Sequence, residues 1–343
     1  MKVTTNRPAA VLTMAAVALS AISITPLAAQ TLVKTEKVGA NIYQPVVNQK
    51  DGSVFISSAG TSMVYKLDPT TLKAVDSIST PESAPMGLGI SQNTQTLYTT
   101  NSRTGLVVAI HIPTGKKTLI EADGEGRAPR EIRVDETRDL VYASSVRGRG
   151  LWVIDAKTNK FLKFYGDLGN AITGHYIDEQ NNIIYATAMG DNEVVVVDGA
   201  TGKVLKKFPA HGERPTNVHH DAKGNRLFVA NQTTENITVL DAETGALIKA
   251  IPTAAGALGV NHDPQRDRIY VANRHGRTVN VIDGTSLEII KTFEIGALPN
   301  TVAINHQTGD VYVTNKEAVS ERGENAPEPV PAPNADSVSL IKL

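Results

Sequence analysis

The chain repeats itself about every 43 residues, and a period of that length admits very few folds. Apolar runs that close on a polar turn recur as VYKLD (64–68), VVAIH (107–111), WVID (152–155), VVVVD (194–198), ITVLD (237–241) and VNVID (279–283). Their last residues, Asp68, His111, Asp155, Asp198, Asp241 and Asp283, lie 43, 44, 43, 43 and 42 positions apart. A seventh copy, VSLIK, ends at Lys342. Ahead of each lies a second run: VFISS (54–58), LYTTN (97–101), VYASS (141–145), IYATA (184–188), LFVAN (227–231), IYVAN (269–273) and VYVTN (311–315). Ahead of that lies a third, as in APREIRVD (128–135), RPTNVHHD (214–221) and LPNTVAIN (298–305).

Short runs of β-branched and aromatic residues favour extended chain. Asp-, Asn- and Gly-rich segments such as DPTT (68–71), DAKGN (221–225) and DGTS (283–286) join them as turns. The Asp that closes each third strand is placed to accept backbone N–H groups of the turn that follows. No helical period is present. Four short antiparallel strands per unit predict an all-β fold, a seven-bladed β-propeller of four-stranded antiparallel blades, in one domain over residues 30–343. LVKTEKVGANIYQPVVN (32–48) aligns without a gap under IIKTFEIGALPNTVAIN (289–305), which sets Lys34, Thr35, Gly39 and Ala40 on Lys291, Thr292, Gly296 and Ala297. The last blade lacks an outer strand of its own. Residues 31–38 are therefore expected to complete it, closing the ring and removing an open edge.

Residues 1–29 read as a secretory signal. Lys2 and Arg7 supply the positive region, an apolar run follows from Ala9 to about Ile24, and Pro26 precedes a small-residue cleavage site after Ala29. The run is short for a membrane span, and no other stretch approaches one. The expected location is periplasmic or secreted. The absence of Cys excludes a disulfide framework, a thiolate metal site and a cysteine nucleophile. A hydrophobic content of 41% with a net charge of −1 excludes a disordered chain and a globally basic nucleic-acid binder. No GxSxG, P-loop, Rossmann glycine pattern, CxxCH or HExxH occurs, so no catalytic residue and no cofactor is assigned.

Blade topology sorts the loops. The loops between second and third strands share one end, the top, with the blade-to-blade crossovers. Arg103, Arg127, Arg130, Arg147, Arg149, Arg214, Arg274 and Arg277 all fall there, while Lys73, Lys116, Lys117, Lys157, Lys160, Lys203 and Lys223 fall on the opposite turns or outer strands. Arg binds carboxylate and phosphate through a rigid fork, so an Arg-bearing top face points to an anion. The plainer reading is solvated loop charge paired with Glu82, Asp123, Glu125, Glu213 and Glu235. Arg130 and Glu131 begin an inner strand and are the expected channel-lining pair, or else an ion pair that buttresses neighbouring blades. His175 and His219 fall on inner strands, and His220 and His262 hold equivalent places in adjacent blades. They read either as a metal or general-base cluster or as rings packed between blades. Asn217, Asn261 and Asn300 also lie on inner strands. The insert at about 316–336, rich in Pro and Glu, is expected to be disordered; it reads as an acidic flap over the Arg-bearing loops or as a tolerated insertion.

The VYVTN at 311–315 with its variants, the VID-turn strands, the APRE at 128–131 and the Pro/Glu-rich insert resemble the YVTN-repeat propellers of the YncE type over residues 31–343. One repeat carries YVTN unaltered, and His111 stands where the pattern has Asp. The resemblance implies a propeller whose relatives include lactonases, amine-dehydrogenase subunits and surface proteins. By that analogy Glu131, Asn217, Asn261 and Asn300 would form an oxygen-ligand cation site of a hydrolase or lactonase. A single Trp152 argues against docking of a quinone cofactor. The favoured expectation is an exported, non-catalytic binding propeller. Its top face would take an anionic ligand, an envelope protein segment or a polyanion such as single-stranded nucleic acid. A passive scaffold in an envelope assembly is the third reading.

Overall fold

The computed structural model describes Met1 and residues 30–122, 128–316 and 334–342. Strand β1 is Thr31–Lys37. The first blade follows as β2 (Ile42–Val47), β3 (Val54–Ser58), β4 (Met63–Leu67) and β5 (Ala74–Ser79). The second is β6 (Leu88–Ser91), β7 (Thr96–Asn101), β8 (Leu106–His111) and β9 (Lys117–Ile120), and the third β10 (Pro129–Asp135), β11 (Leu140–Ser145), β12 (Gly150–Asp155) and β13 (Lys160–Tyr165). The fourth is β14 (Ile172–Asp178), β15 (Ile183–Ala188), β16 (Glu193–Asp198) and β17 (Val204–Pro209). The fifth is β18 (Pro215–Asp221), β19 (Arg226–Asn231), β20 (Asn236–Asp241) and β21 (Leu247–Pro252). The sixth is β22 (Ala257–Asp263), β23 (Arg268–Asn273), β24 (Thr278–Asp283) and β25 (Ile289–Glu294). The seventh blade joins both ends of the chain, in the order β1, β28 (Ser337–Lys342), β27 (Val311–Asn315), β26 (Pro299–Ile304). Among the described residues there is no helix, and hence none long and apolar enough to cross a membrane.

Seven antiparallel sheets in a ring need seven interfaces, and each has its own apolar cluster. One cluster joins blades three and four through Tyr142, Leu151, Ile172 and Ile184. Another joins the seventh blade to the first through Tyr312, Leu340, Ile42 and Ile56. The aromatic residue at a fixed place on every second strand, Phe55, Tyr98, Tyr142, Tyr185, Phe228, Tyr270 or Tyr312, is buried in these layers. Full burial of such a ring contributes about 2–3 kcal/mol. Three of the five tyrosine hydroxyls reach a carbonyl of the neighbouring blade: Tyr98 donates to Ala156 O at 3.2 Å, Tyr142 to Gly199 O at 3.2 Å and Tyr312 to Pro69 O at 3.1 Å. Those carbonyls belong to the turns between third and fourth strands. The same turns are held from within by Asp. Asp198 Oδ1 accepts Ala200 N at 3.0 Å and Thr201 N at 2.8 Å, and Asp241 Oδ1 accepts Thr244 N at 2.7 Å. His111, the departure from that pattern, places Nδ1 2.8 Å from Thr114 Oγ1 and so keeps a side-chain contact in its turn.

The expected ring closure is present. β1 pairs antiparallel with β28, and Thr35 Oγ1 lies 2.8 Å from Ser339 Oγ across the two strands. The inner end of the seam is closed by hydroxyls, since Thr314 and Thr301 donate to Tyr43 O at 2.9 and 3.0 Å.

Candidate functional site

The channel wall is made by one repeated irregularity. Six inner strands shift register against their second strands at the same place, between Ile42 and Pro45 in the first blade and between Pro215 and Asn217 in the fifth, for example. There the inner N–H bonds a hydroxyl of the second strand: Gln44 N to Ser57 Oγ at 3.0 Å, Glu131 N to Ser144 Oγ at 3.1 Å, Gly174 N to Thr187 Oγ1 at 3.0 Å. Such bulges re-aim side chains. Around the ring the residues at this place read Gln44, Gly87, Glu131, Gly174, Asn217, Gly259 and Thr301. Each of the three glycines lets the next blade close in. A Cβ on Gly174 would sit 2.6 Å from Asn217 Cα, and one on Gly259 would sit 2.7 Å from Asn300 O. Glu131 can therefore reach past Gly174 to a residue two blades away, and Asn217 Nδ2 donates to Glu131 Oε2 at 3.1 Å.

Arg130 and Glu131 both line the channel, but the ion pair read as the alternative does not form between them. Arg133, not Arg130, pairs with Glu131, at 3.1 Å through Nη2 and 3.2 Å through Nε. Burial pushes the Glu131 carboxyl above its ordinary range, against the pull of Arg133 and Arg130. The oxygen set suggested for a cation is also dispersed. Asn217 reaches Glu131, Asn300 Nδ2 donates to Tyr43 O at 3.0 Å, and Asn261 Nδ2 donates to Val302 O at 3.2 Å. The carboxylate at its centre is taken by a guanidinium.

Arg130 turns to the channel mouth and meets Tyr43, whose hydroxyl is the main influence raising its pKa. Arg274 approaches the same phenol from the sixth blade, and its Nη1 donates to Asn300 Oδ1 at 3.3 Å. Lys316, only 8% exposed, places Nζ 4.8 Å from the centre of the Tyr43 ring. Burial, then Arg274 and Arg130, depress the Lys316 pKa to about 8. Burial also lowers that of Arg274, with Arg130 adding to the effect. Among the described residues, no carboxylate lies within 4 Å of any of these three cations.

The remaining predicted arginines are spread out. Arg103 and Arg147 flank a groove between the second and third blades that also carries Glu121 and Asp167. Arg149, Arg214 and Arg277 are exposed, and Arg214 reaches only Met189 Sδ, at 3.8 Å. Of the suggested acidic partners, the described ones, Glu82, Glu213 and Glu235, do not pair with any described top arginine, and Glu82 contacts Lys117 at 3.6 Å. Arg127, Asp123 and Glu125 lie outside the described residues, as do residues 2–29 of the expected signal and 317–333 of the insert. Sorting by Arg against Lys was too simple. Arg138, Arg226, Arg266 and Arg268 sit at the opposite end, each in an ion pair of 2.6–3.0 Å with Asp135, Asp221, Asp263 or Asp283. Pairing, not residue type, separates the two ends. Lys316, assigned to a disordered insert, is instead buried at the mouth; neither Lys316, just after β27, nor Tyr43, within β2, carried a sequence signal beyond that place.

The histidines are rings between blades. His219 lies 4.3 Å from Tyr176 and 5.8 Å from His262 between centroids, and His220 lies 5.0 Å from Tyr185. His262 Nε2 is 3.1 Å from Asp267 Oδ1. No group of three His, Asp or Glu among the described residues is arranged to hold a metal.

A family model for YNCE-like beta-propellers matches residues 150–321, half of the chain. The chain belongs to the YncE-like β-propeller family. Two similar proteins are both named uncharacterized protein YncE. The one from Salmonella typhi is 29% identical over 171 residues, 46% of this chain and 48% of its own length. The one from Escherichia coli is 27% identical over 167 residues, 44% of this chain and 47% of its own. The matched part thus spans about half the length of these relatives. Among solved structures, Kuenenia stuttgartiensis hydrazine synthase aligns over 83% of this chain and 95% of its own, with a TM-score of 0.71 and 16% identity. That likeness concerns the fold alone.

Proposed function

We propose that this propeller is an exported, non-catalytic binding protein that takes an anionic group of its ligand or partner at the channel mouth. One observation carries the reading: Arg130, Arg274 and Lys316 converge on Tyr43 with no carboxylate within 4 Å among the described residues. Three cations gathered with no carboxylate in contact among the described residues, Asp336 acting on Lys316 only from farther off, repel one another, and a bound anion offsets that repulsion. The arginines offer forks for a carboxylate or phosphate, and Tyr43 adds a hydroxyl between them. The well below the mouth holds only about 30 Å3, so the ligand enters by its charged end and stops there.

The experiment measures binding of an acidic peptide and of a single-stranded oligonucleotide to the native chain and to an Arg130→Gln, Arg274→Gln, Lys316→Gln variant. Tenfold or greater weakening of at least one probe is expected, with the melting temperature held or raised because the repulsion is gone. Wild-type affinity should fall as salt rises, and again above about pH 8 as free Lys316 loses its proton. Equal binding by the variant, or binding indifferent to salt, would overturn the proposal. Export rests on the leader read at residues 1–29, and N-terminal sequencing of the mature protein should begin at Gln30; a retained Met1 would contradict it.

A further inference from the structure

Beyond the Glu131–Asn217 bridge the channel widens into a chamber of about 310 Å3 that every inner strand helps to line. It lies at the other end of the channel from the cationic mouth, and its walls differ. Arg133, Tyr176, Asn217 and His219, from blades three to five, make one side. Val46, Leu88, Ile90, Val302 and Ala303, from blades one, two and seven, form an apolar patch on the other, beside Gln44, Gln49, Gln92 and His306.

The polar side has hydrogen-bonding capacity and no unpaired cation, and its one carboxylate without a cationic partner among the described residues, Glu136, lies at the rim. The Arg133 guanidinium is neutralised by Glu131 at 3.1 Å. Burial holds the His219 imidazole well below its ordinary pKa, with His262, Arg133 and His306 adding to the effect, so the ring is neutral. Burial raises the Tyr176 phenol, which keeps its proton. Glu136, at the outer rim, is engaged by Gln92 N at 2.5 Å and Asn93 N at 3.0 Å. Three buried polar atoms of the lining make no well-formed hydrogen bond among the described residues: His219 Nδ1, Asn217 Oδ1 and His306 Nδ1, the first two on residues only 7% exposed. Buried polar atoms are normally paired. A concave space of this size, apolar on one side with a few convergent polar groups on the other, has the make-up of a small-molecule site.

We infer that this chamber is a second binding site, for a small uncharged molecule with one apolar face and one hydrogen-bonding edge. An anionic ligand would forfeit its hydration and find the Arg133 guanidinium already paired.

The test is NMR of the histidine rings in the native chain, titrated with phenol, benzyl alcohol, cyclohexanol and, as the charged counterpart, benzoate. At least one neutral probe is expected to shift the His219 ring saturably at millimolar concentration, at least tenfold tighter than benzoate does. Val46→Phe fills the apolar side and should weaken that probe tenfold or more while His175, outside the chamber, is unmoved. No saturable shift with any neutral probe would show a chamber that holds ordered water only, and would overturn the inference. So would benzoate matching the neutral probes, a comparison that stands even if Val46→Phe fails to fold.

Discussion

His175 shows how far a single residue can depart from its ordinary chemistry in this fold. It is completely buried on β14, and neither ring nitrogen makes a well-formed hydrogen bond among the described residues, although the Tyr142 backbone is close enough to act on it. Burial, with Arg133 nearby, pushes its pKa down to about 3. The folded value lies below the unfolded one, so as pH falls the unfolded chain takes up the proton first. The stability tied to neutral His175 is whole above about pH 6.5 and is lost between there and about pH 3. His175→Leu should flatten the fall of melting temperature with pH across that window while leaving the value at pH 7 unchanged or higher. Parallel slopes in thermal melts of the two proteins would refute this. The place of His175, His219, His220 and His262 on inner strands was legible from the repeat. Their packing was not, because a repeat fixes position on a strand and says nothing of what the next blade sets opposite. The same limit explains Glu131, where the sequence offered Arg130 next door and the bulge delivered Arg133.

At the scale of the element, β1 matters most. It contributes no residue to the channel, yet without it β28 is an open edge of unpaired backbone groups. Removal of residues 31–37 should lower the melting temperature by about 10 °C or more, a loss of several kcal/mol, and should promote aggregation. Added peptide TLVKTEK should restore part of the loss. An unchanged melt in differential scanning calorimetry would mean that the seventh blade stands on three strands. This element was readable, because Lys34, Thr35, Gly39 and Ala40 repeat the residues that follow another blade's third strand. The alternation of Gly87, Gly174 and Gly259 with Gln44, Glu131, Asn217 and Thr301 was equally present in the sequence. It went unread because glycine within a strand signals close approach without naming the neighbour.

Across the whole molecule, the two ends of the ring are chemically unlike. At one end Arg and Asp neighbours are matched in pairs, as in Arg226 with Asp221 at 2.6 Å. At the other, no described top-loop arginine has a carboxylate within 4 Å among the described residues, and three cations surround Tyr43. Family membership and fold do not choose between binding and catalysis, so the functional reading stands on that asymmetry. What the sequence alone determined was the blade count, the strand order, the Asp-held turns and the closing strand, since each follows from local propensity repeated at a fixed period. Only the tertiary structure decided which charges meet. Arg130, Arg274, Lys316 and Tyr43 are far apart along the chain and come together because a closed ring turns seven separate strand starts toward one axis, where distance through space no longer follows distance in sequence.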